Sequence, residues 1–274
     1  MEFCQIYILN FMTEKTYHFL SGLPRSGSTV LASILNQNPE VYVTPTSPML
    51  NVAVKMQEAW RDDPTVKANY FEEQINDLTK AILPAFWKHR PEPIIIDKGR
   101  GWAKNMPNAS ALFGRKIKAV VVERDLPSIM ASWLTLIKRQ KDCYVDQVLM
   151  RRGYPVTDEN RMGEMWFNMV RDCMEGSHQI RRDAPDQIII VKYDELIDAP
   201  AHTLKRIEDF LELPKFTYDF DHIENDTVDD DLTAWGFDGL HTIHSQLKKI
   251  SGNPREILGD ELYYRFVELE KHYV

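Results

Sequence analysis

An α/β sandwich with a mainly parallel central sheet is the fold this sequence predicts. Four short apolar runs, residues 17–21, 94–97, 118–123 and 187–193, read as buried strands. Stretches of helical periodicity lie between them, the rhythm of strand–helix units rather than of hairpins. The polar motifs of the chain fall just after these runs, and parallel sheets bind ligands at the carboxyl ends of their strands.

Taken in order, the first run (17–21) leads through a glycine-containing loop into a helix over 28–36. Two helical stretches, 48–60 and 70–88, form a long excursion before the second run at 94–97. The third run, 118–123, is followed by a helix over 127–138 that opens on Pro127, a residue suited to a first helical turn. A helix over 159–182 precedes the fourth run, another over 200–211 follows it, and a last helix spans about 260–272. With no internal repeat, low-complexity tract or Gly/Ser linker, residues 1–274 read as a single domain with insertions.

Composition excludes several classes. The chain carries 33 Lys and Arg against 41 Asp and Glu, a net charge of −8, which argues against a general binder of nucleic acid or of anionic membranes. A site for an anion must therefore be built locally, against the overall field. No run reaches the ~20 apolar residues of a membrane span. Cys4, Cys143 and Cys173 lack metal-ligand spacing and do not form a disulfide framework, so a reducing, cytoplasmic setting is expected. Residues 1–11 lack a basic region and a small-residue cleavage site, so they read as an appendage rather than a signal peptide, with Met12 an alternative start.

The loop Gly22-Leu23-Pro24-Arg25-Ser26-Gly27-Ser28-Thr29 has the Gly-x₄-Gly spacing of a phosphate-binding loop, with Ser28 where nucleotide hydrolases carry lysine. This makes the expected architecture a P-loop-type three-layer sandwich. Gly22 and Gly27 permit the tight turn, and the helix N-terminus supplies N–H donors. Ser26, Ser28 and Thr29 add hydroxyls and Arg25 a cation. The absent lysine normally neutralises the outer phosphates of a triphosphate, so its loss points to a different ligand.

This segment, with Asn38-Pro39-Glu40-Val41 after it, resembles the 5′-phosphosulfate loop of the sulfotransferase superfamily, nearest the branch that holds the tyrosylprotein sulfotransferases and bacterial and phage relatives. The resemblance implies 3′-phosphoadenosine-5′-phosphosulfate (PAPS) as donor and no metal. It also implies a 3′-phosphate site formed by Arg124, at the end of the third strand, and Ser132, two helical turns on. By the same resemblance Tyr193 helps to hold the adenine, and Lys98 is directed at the leaving oxygen. The basic pair Lys248 and Lys249 resembles the family's C-terminal segment over the donor. The matching blocks run from about residue 17 to 214. Residues 1–16 are then an appendage, 45–92 a helical insertion over the acceptor cleft, and 215–274 a donor-covering segment with a final helix.

The general base departs from both family patterns. Residues 44–48, Thr-Pro-Thr-Ser-Pro, contain no carboxylate where the tyrosylprotein enzymes place a glutamate. Arg100 stands where cytosolic small-molecule enzymes place a histidine two residues after the lysine. Candidates are Asp97 and the pair His241 and His244, since an imidazole titrates near neutrality; His241 is preferred because the Lys248-Lys249 that follows it resembles the family's C-terminal basic segment, and an amine acceptor would need no strong base. The acidic stretch 224–231 reads as a solvated loop, or as an acceptor rim that favours a basic acceptor. The expected activity is sulfuryl transfer to a hydroxyl or amine of a carbohydrate, small molecule, lipid head group or peptide, by a monomer or homodimer without nucleic-acid or membrane partners. A P-loop kinase or hydrolase, or a degenerate nucleotide-binding protein, is the alternative.

Overall fold

The computed structural model describes residues 15–69, 71–115, 117–140, 143–225, 230–249 and 252–273. The expected appendage falls almost wholly outside them. Five strands form one parallel sheet: β1 (Thr16–Gly22), β2 (Val41–Thr46), β3 (Ile94–Lys98), β4 (Ala119–Glu123) and β5 (Ile188–Lys192), in the spatial order β2-β3-β1-β4-β5. β1 is central; the chain lays β2 at one edge, inserts β3 between β2 and β1, and then adds β4 and β5 on the other side. The crevice beside β1 at the carboxyl edge is therefore the topological switch point of the sheet, where such folds bind ligands.

Strand alternation sorts the apolar side chains onto two faces. Leu20, Val120, Val122 and Ile96 pack with α1 (Ser28–Leu35) and α11 (Pro200–Leu211). Phe19, Val121 and Ile95 pack on the other face with Trp102, Met106 and Phe113 of α5 (Trp102–Phe113) and Ile180 of α9 (Arg171–Asp183). A third cluster lies away from the sheet and is mainly helical. It joins α6 (Leu126–Lys138) to α7 (Tyr144–Arg151), α8 (Asp158–Met165) and α13 (Pro254–Glu270) through Trp133, Phe237 and Phe266. Asp125 caps α6 by accepting from the Ser128 amide at 2.8 Å, and Pro127 sits in its first turn.

Four expectations are corrected. β2 was not among the expected strands: Pro45 and a register shift between Val43 and Thr46 interrupt its pattern, which an edge strand tolerates. The expected helix over 159–182 is two helices separated by a π-turn, Trp166–Val170. Tyr193 opens α10 (Tyr193–Asp198) instead of ending β5. The last helix begins at Pro254, and Gly259 kinks it at φ 75, so its regular part starts near the expected residue 260. The excursion between β2 and β3 folds as α2 (Met49–Asp62), α3 (Pro64–Asn69) and α4 (Glu72–Phe86). Among the described residues, no helix is long and apolar enough to cross a membrane.

Asp97 ties this excursion to the sheet. It is fully buried and accepts from Ser47 Oγ at 2.7 Å, Trp102 Nε1 at 2.9 Å and Trp87 Nε1 at 3.1 Å. Burial pushes its carboxyl up to about 6 despite these three donors. A folded-state value above the unfolded one means that the folded protein binds the proton more tightly. Asp97 therefore costs stability above about pH 6, and that cost is relieved as the pH falls toward about 4. Lowering the pH from 6.5 to 4.5 should improve the Asp97 contribution by about 2 kcal/mol. Urea unfolding of wild type and Asp97→Asn at both pH values should show the gap between them widening in favour of wild type at the lower pH. A gap that is constant with pH contradicts the assignment.

Candidate active site

A cavity of about 650 Å³ opens at the carboxyl edge of the sheet, between the loop after β1, the ends of β3 and β4, helix α6 and residues 239–248. The loop is shaped by close approach. A Cβ on Gly22 would lie 2.6 Å from the Val122 carbonyl oxygen, and one on Gly27 would lie 2.8 Å from the Tyr193 ring. Gly27 also has φ 95, a conformation that favours glycine. It caps α1 without a side-chain acceptor, so the first N–H groups of that helix remain available to an anion.

Arg25 and Arg124 are oriented by neutral groups. Arg25 sits in the left-handed region at φ 62, its Nε donates to Ser132 Oγ at 3.1 Å, and its Nη1 donates to the Leu240 carbonyl. Arg124 Nη1 donates to the Arg25 carbonyl at 3.1 Å, and its guanidinium lies 4.3 Å from the centre of the Tyr193 ring. Burial, and then the adjacent Arg124 charge, lower the pKa of Arg25 from its ordinary value. Neither guanidinium has an ion-pair partner among the described residues. Glu123, the carboxylate adjacent to Arg124 in sequence, is instead taken by Ser177, Arg181 and Lys192. Those donors hold it below the usual carboxylate range even though burial opposes them.

Lys98 closes β3 beside the loop, and its Nζ donates to Thr29 Oγ1 at 3.3 Å. Its neighbour Asp97 points to the opposite face of the strand and does not line the cavity, which removes it as a candidate base. His241 does line the cavity. Its amide donates to Asp231 Oδ2 at 2.7 Å, its Nδ1 bonds Asp231 Oδ1, and its carbonyl accepts from Asn225 Nδ2 at 3.2 Å. His244 and Lys248 also border the cavity.

The structure thus brings together Arg25, Gly27, Ser28, Thr29, Lys98, Arg124, Ser132, Tyr193, His241 and Lys248. Two expected residues lie elsewhere. Ser26 is fully buried, its hydroxyl donating to the Leu23 carbonyl at 2.6 Å, so it shapes the turn. Lys249 is turned out to Asp194 at 2.8 Å. Of the acidic stretch 224–231, residues 226–229 lie outside the described residues, and Asp231 is a buried partner of His241 rather than a solvated charge. Sequence reading missed Arg139, at the C-cap of α6, and Trp235, which stacks under Arg100 at 5.2 Å. Neither carries a local motif that would have marked it. In all, six Lys and Arg side chains border the cavity and, among the described residues, no carboxylate does.

A family model described as "Sulfotransferase family" matches residues 19–218, well over half of the chain. A putative protein-tyrosine sulfotransferase of Caenorhabditis briggsae is 25% identical over 197 residues, covering 71% of this chain and 65% of that protein. A protein of the same description from Caenorhabditis elegans is 24% identical over 186 residues, covering 67% and 66%. The chain therefore spans just under two thirds of the length of these curated relatives. Among solved structures, the sulfotransferase domain of the Synechococcus PCC 7002 olefin synthase is similar at TM-score 0.55 and 18% identity, over 96% of this chain and 97% of that one. Retinol dehydratase, solved with androsterone and inactive cofactor PAP, is similar at TM-score 0.52 and 14% identity, over 96% and 82%. These two likenesses concern the fold. The family match over residues 19–218 places this chain in the sulfotransferase family.

Proposed function

We propose that this protein transfers a sulfuryl group from PAPS to a hydroxyl or amine of an acceptor. One observation carries the reading: a chain of net charge −8 concentrates six cationic side chains, and no described carboxylate, around one cavity at its switch point. Three of the cations, with their neighbours, suit the two phosphorylated ends of the donor. Lys98, Thr29 and the N-terminal amides of α1 suit the 5′-phosphosulfate, and Arg25, Arg124 and Ser132 suit the 3′-phosphate. Tyr193, already stacked on Arg124, offers a face for the adenine.

In the proposed reaction the acceptor oxygen or nitrogen forms a bond to sulfur as the bond from sulfur to the bridging phosphate oxygen breaks. The electron pair of the broken bond stays on the leaving phosphate, where the Lys98 ammonium offsets the charge that develops. The acceptor proton passes to His241. The products are the sulfated acceptor and adenosine 3′,5′-bisphosphate. Both worm relatives are named for protein tyrosine, whose phenol belongs to the hydroxyl class proposed for the acceptor.

Adenosine 3′,5′-bisphosphate at a hundredfold excess over its Kd should stabilise the protein by ~2.7 kcal/mol, measured as a thermal shift, and ATP with Mg²⁺ should do less. A shift with ATP and Mg²⁺ alone would point to a kinase or hydrolase instead. Lys98→Ala should slow sulfate release from PAPS by roughly 10²–10³-fold with little change in bisphosphate affinity. An unchanged rate would show that Lys98 does not serve the leaving group.

A further inference from the structure

On the basis of the sulfotransfer reading, we infer that the acceptor carries an oxyanion (a carboxylate, sulfate or phosphate) close to its reacting hydroxyl or amine, and that Arg100, seated on Trp235, binds it.

Of the six cations that border the cavity, Arg100 is the one that PAPS does not absorb. Arg25 and Arg124 suit the 3′-phosphate, and Lys98 suits the phosphosulfate. Lys248 belongs to the basic segment that the family resemblance lays over the nucleotide. Arg139 adds its charge to burial and Arg124 in lowering the pKa of Arg25, so it falls to the 3′-phosphate end. The Arg100 guanidinium instead lies over the Trp235 ring, 5.2 Å from its centre, and makes no hydrogen bond or ion pair among the described residues.

The fold fixes this pair at both ends. Ser21 Oγ donates to the Arg100 carbonyl at 2.9 Å and accepts from the Ala103 amide at 3.1 Å, which ties the turn after β3 to the end of β1. A Cβ on the following Gly101 would lie 2.6 Å from Leu50 of α2, so the helical excursion closes tightly over the same turn. Trp235 ends α12 (Asp231–Trp235) and packs against the mainly helical cluster. A guanidinium supported on a ring face keeps its in-plane N–H groups unused. Those are the groups that grip an oxyanion in pairs.

The surrounding wall has the same bias. Trp133 and Trp235 both border the cavity, and Nε1 of each is buried without a hydrogen-bond partner among the described residues. An indole N–H can only donate. With guanidinium and indole N–H groups and no described carboxylate, the wall favours an oxyanion and repels a cation. Arg100 follows Lys98 by two residues, so their Cα atoms are at most about 7 Å apart. The anion therefore binds near the transferred sulfur, and it shares one compact fragment of the acceptor with the reacting group. By the family resemblance, small-molecule enzymes place a histidine at this position. A guanidinium does not give up its proton, so here the position binds rather than accepts a proton.

The test uses the full chain saturated with adenosine 3′,5′-bisphosphate and three phenols of similar size: 4-hydroxyphenylacetate, the neutral 4-hydroxyphenylacetamide and the cationic tyramine. Calorimetric titration should show the carboxylate binding at least about tenfold more tightly than the amide, and tyramine more weakly than either. In Arg100→Gln the preference for the carboxylate should fall to about twofold or less, and in Arg100→Lys part of it should remain. Bisphosphate affinity should match wild type in both variants, which also shows that they fold. Equal binding of carboxylate and amide by wild type, binding of none of the three, or a preference that survives in Arg100→Gln overturns the assignment and leaves the sulfotransfer reading standing. Weaker bisphosphate binding by both variants, at unchanged melting temperature, also overturns it by placing Arg100 at the nucleotide. No bisphosphate binding by wild type overturns the sulfotransfer reading, and the acceptor assignment with it.

Discussion

Two guanidinium groups held close together, neither in an ion pair among the described residues, are the constraint on which the site depends. Burial, and then the nearby Arg124 charge, raise the cost of the Arg25 charge. The fold meets this with neutral acceptors. Arg124 rests on the Arg25 carbonyl and the Tyr193 ring, while Arg25 rests on the Leu240 carbonyl and the Ser132 hydroxyl. These contacts set direction without cancelling charge, so the positive potential is left for an anion. A carboxylate in the same place would stabilise the protein and occupy the site.

Several structural choices follow from that constraint. Glu123 sits one residue from Arg124 but is drawn away by Ser177, Arg181 and Lys192. Asp97 sits one residue from Lys98 but, by strand alternation, is buried on the opposite face among two indoles and a hydroxyl. Asp231 stands behind His241 and outside the lining of the cavity. Three carboxylates thus lie next to the cavity in sequence or in space, and none of the three borders it. The cost of burying Asp97 is the clearest sign that this separation works against stability.

Much of this was legible in the sequence because it is local. The runs that became β3, β4 and β5 are rich in β-branched residues, and β1 is a short, almost wholly buried run with aromatic residues at its centre. The loop's glycines mark the only residue type that the backbone approaches to Val122 and Tyr193 allow. What was not legible depends on distance. β2 is an edge strand with an internal proline, and its pairing with β3 is a tertiary fact. Arg139 is an ordinary helix-terminal arginine until α6 is laid along the cavity. Asp231 is one charge in an acidic run, and only the fold brings it to His241, ten residues away. Ser26 shows the converse: the motif marked it as a ligand hydroxyl, whereas the tightness of the turn directs that hydroxyl inward.

The most direct test of the cation cluster is a two-by-two calorimetric comparison. Adenosine 3′,5′-bisphosphate and adenosine 5′-monophosphate are each titrated into wild type and Arg124→Ala. If Arg124 is held by neutral groups for a 3′-phosphate, that phosphate contributes at least tenfold to affinity in wild type. Most of the contribution disappears in the variant, a coupling of about 1.5–3 kcal/mol for a charge-assisted contact. Equal losses for both ligands, or a bisphosphate that binds no better than the monophosphate in wild type, would contradict it.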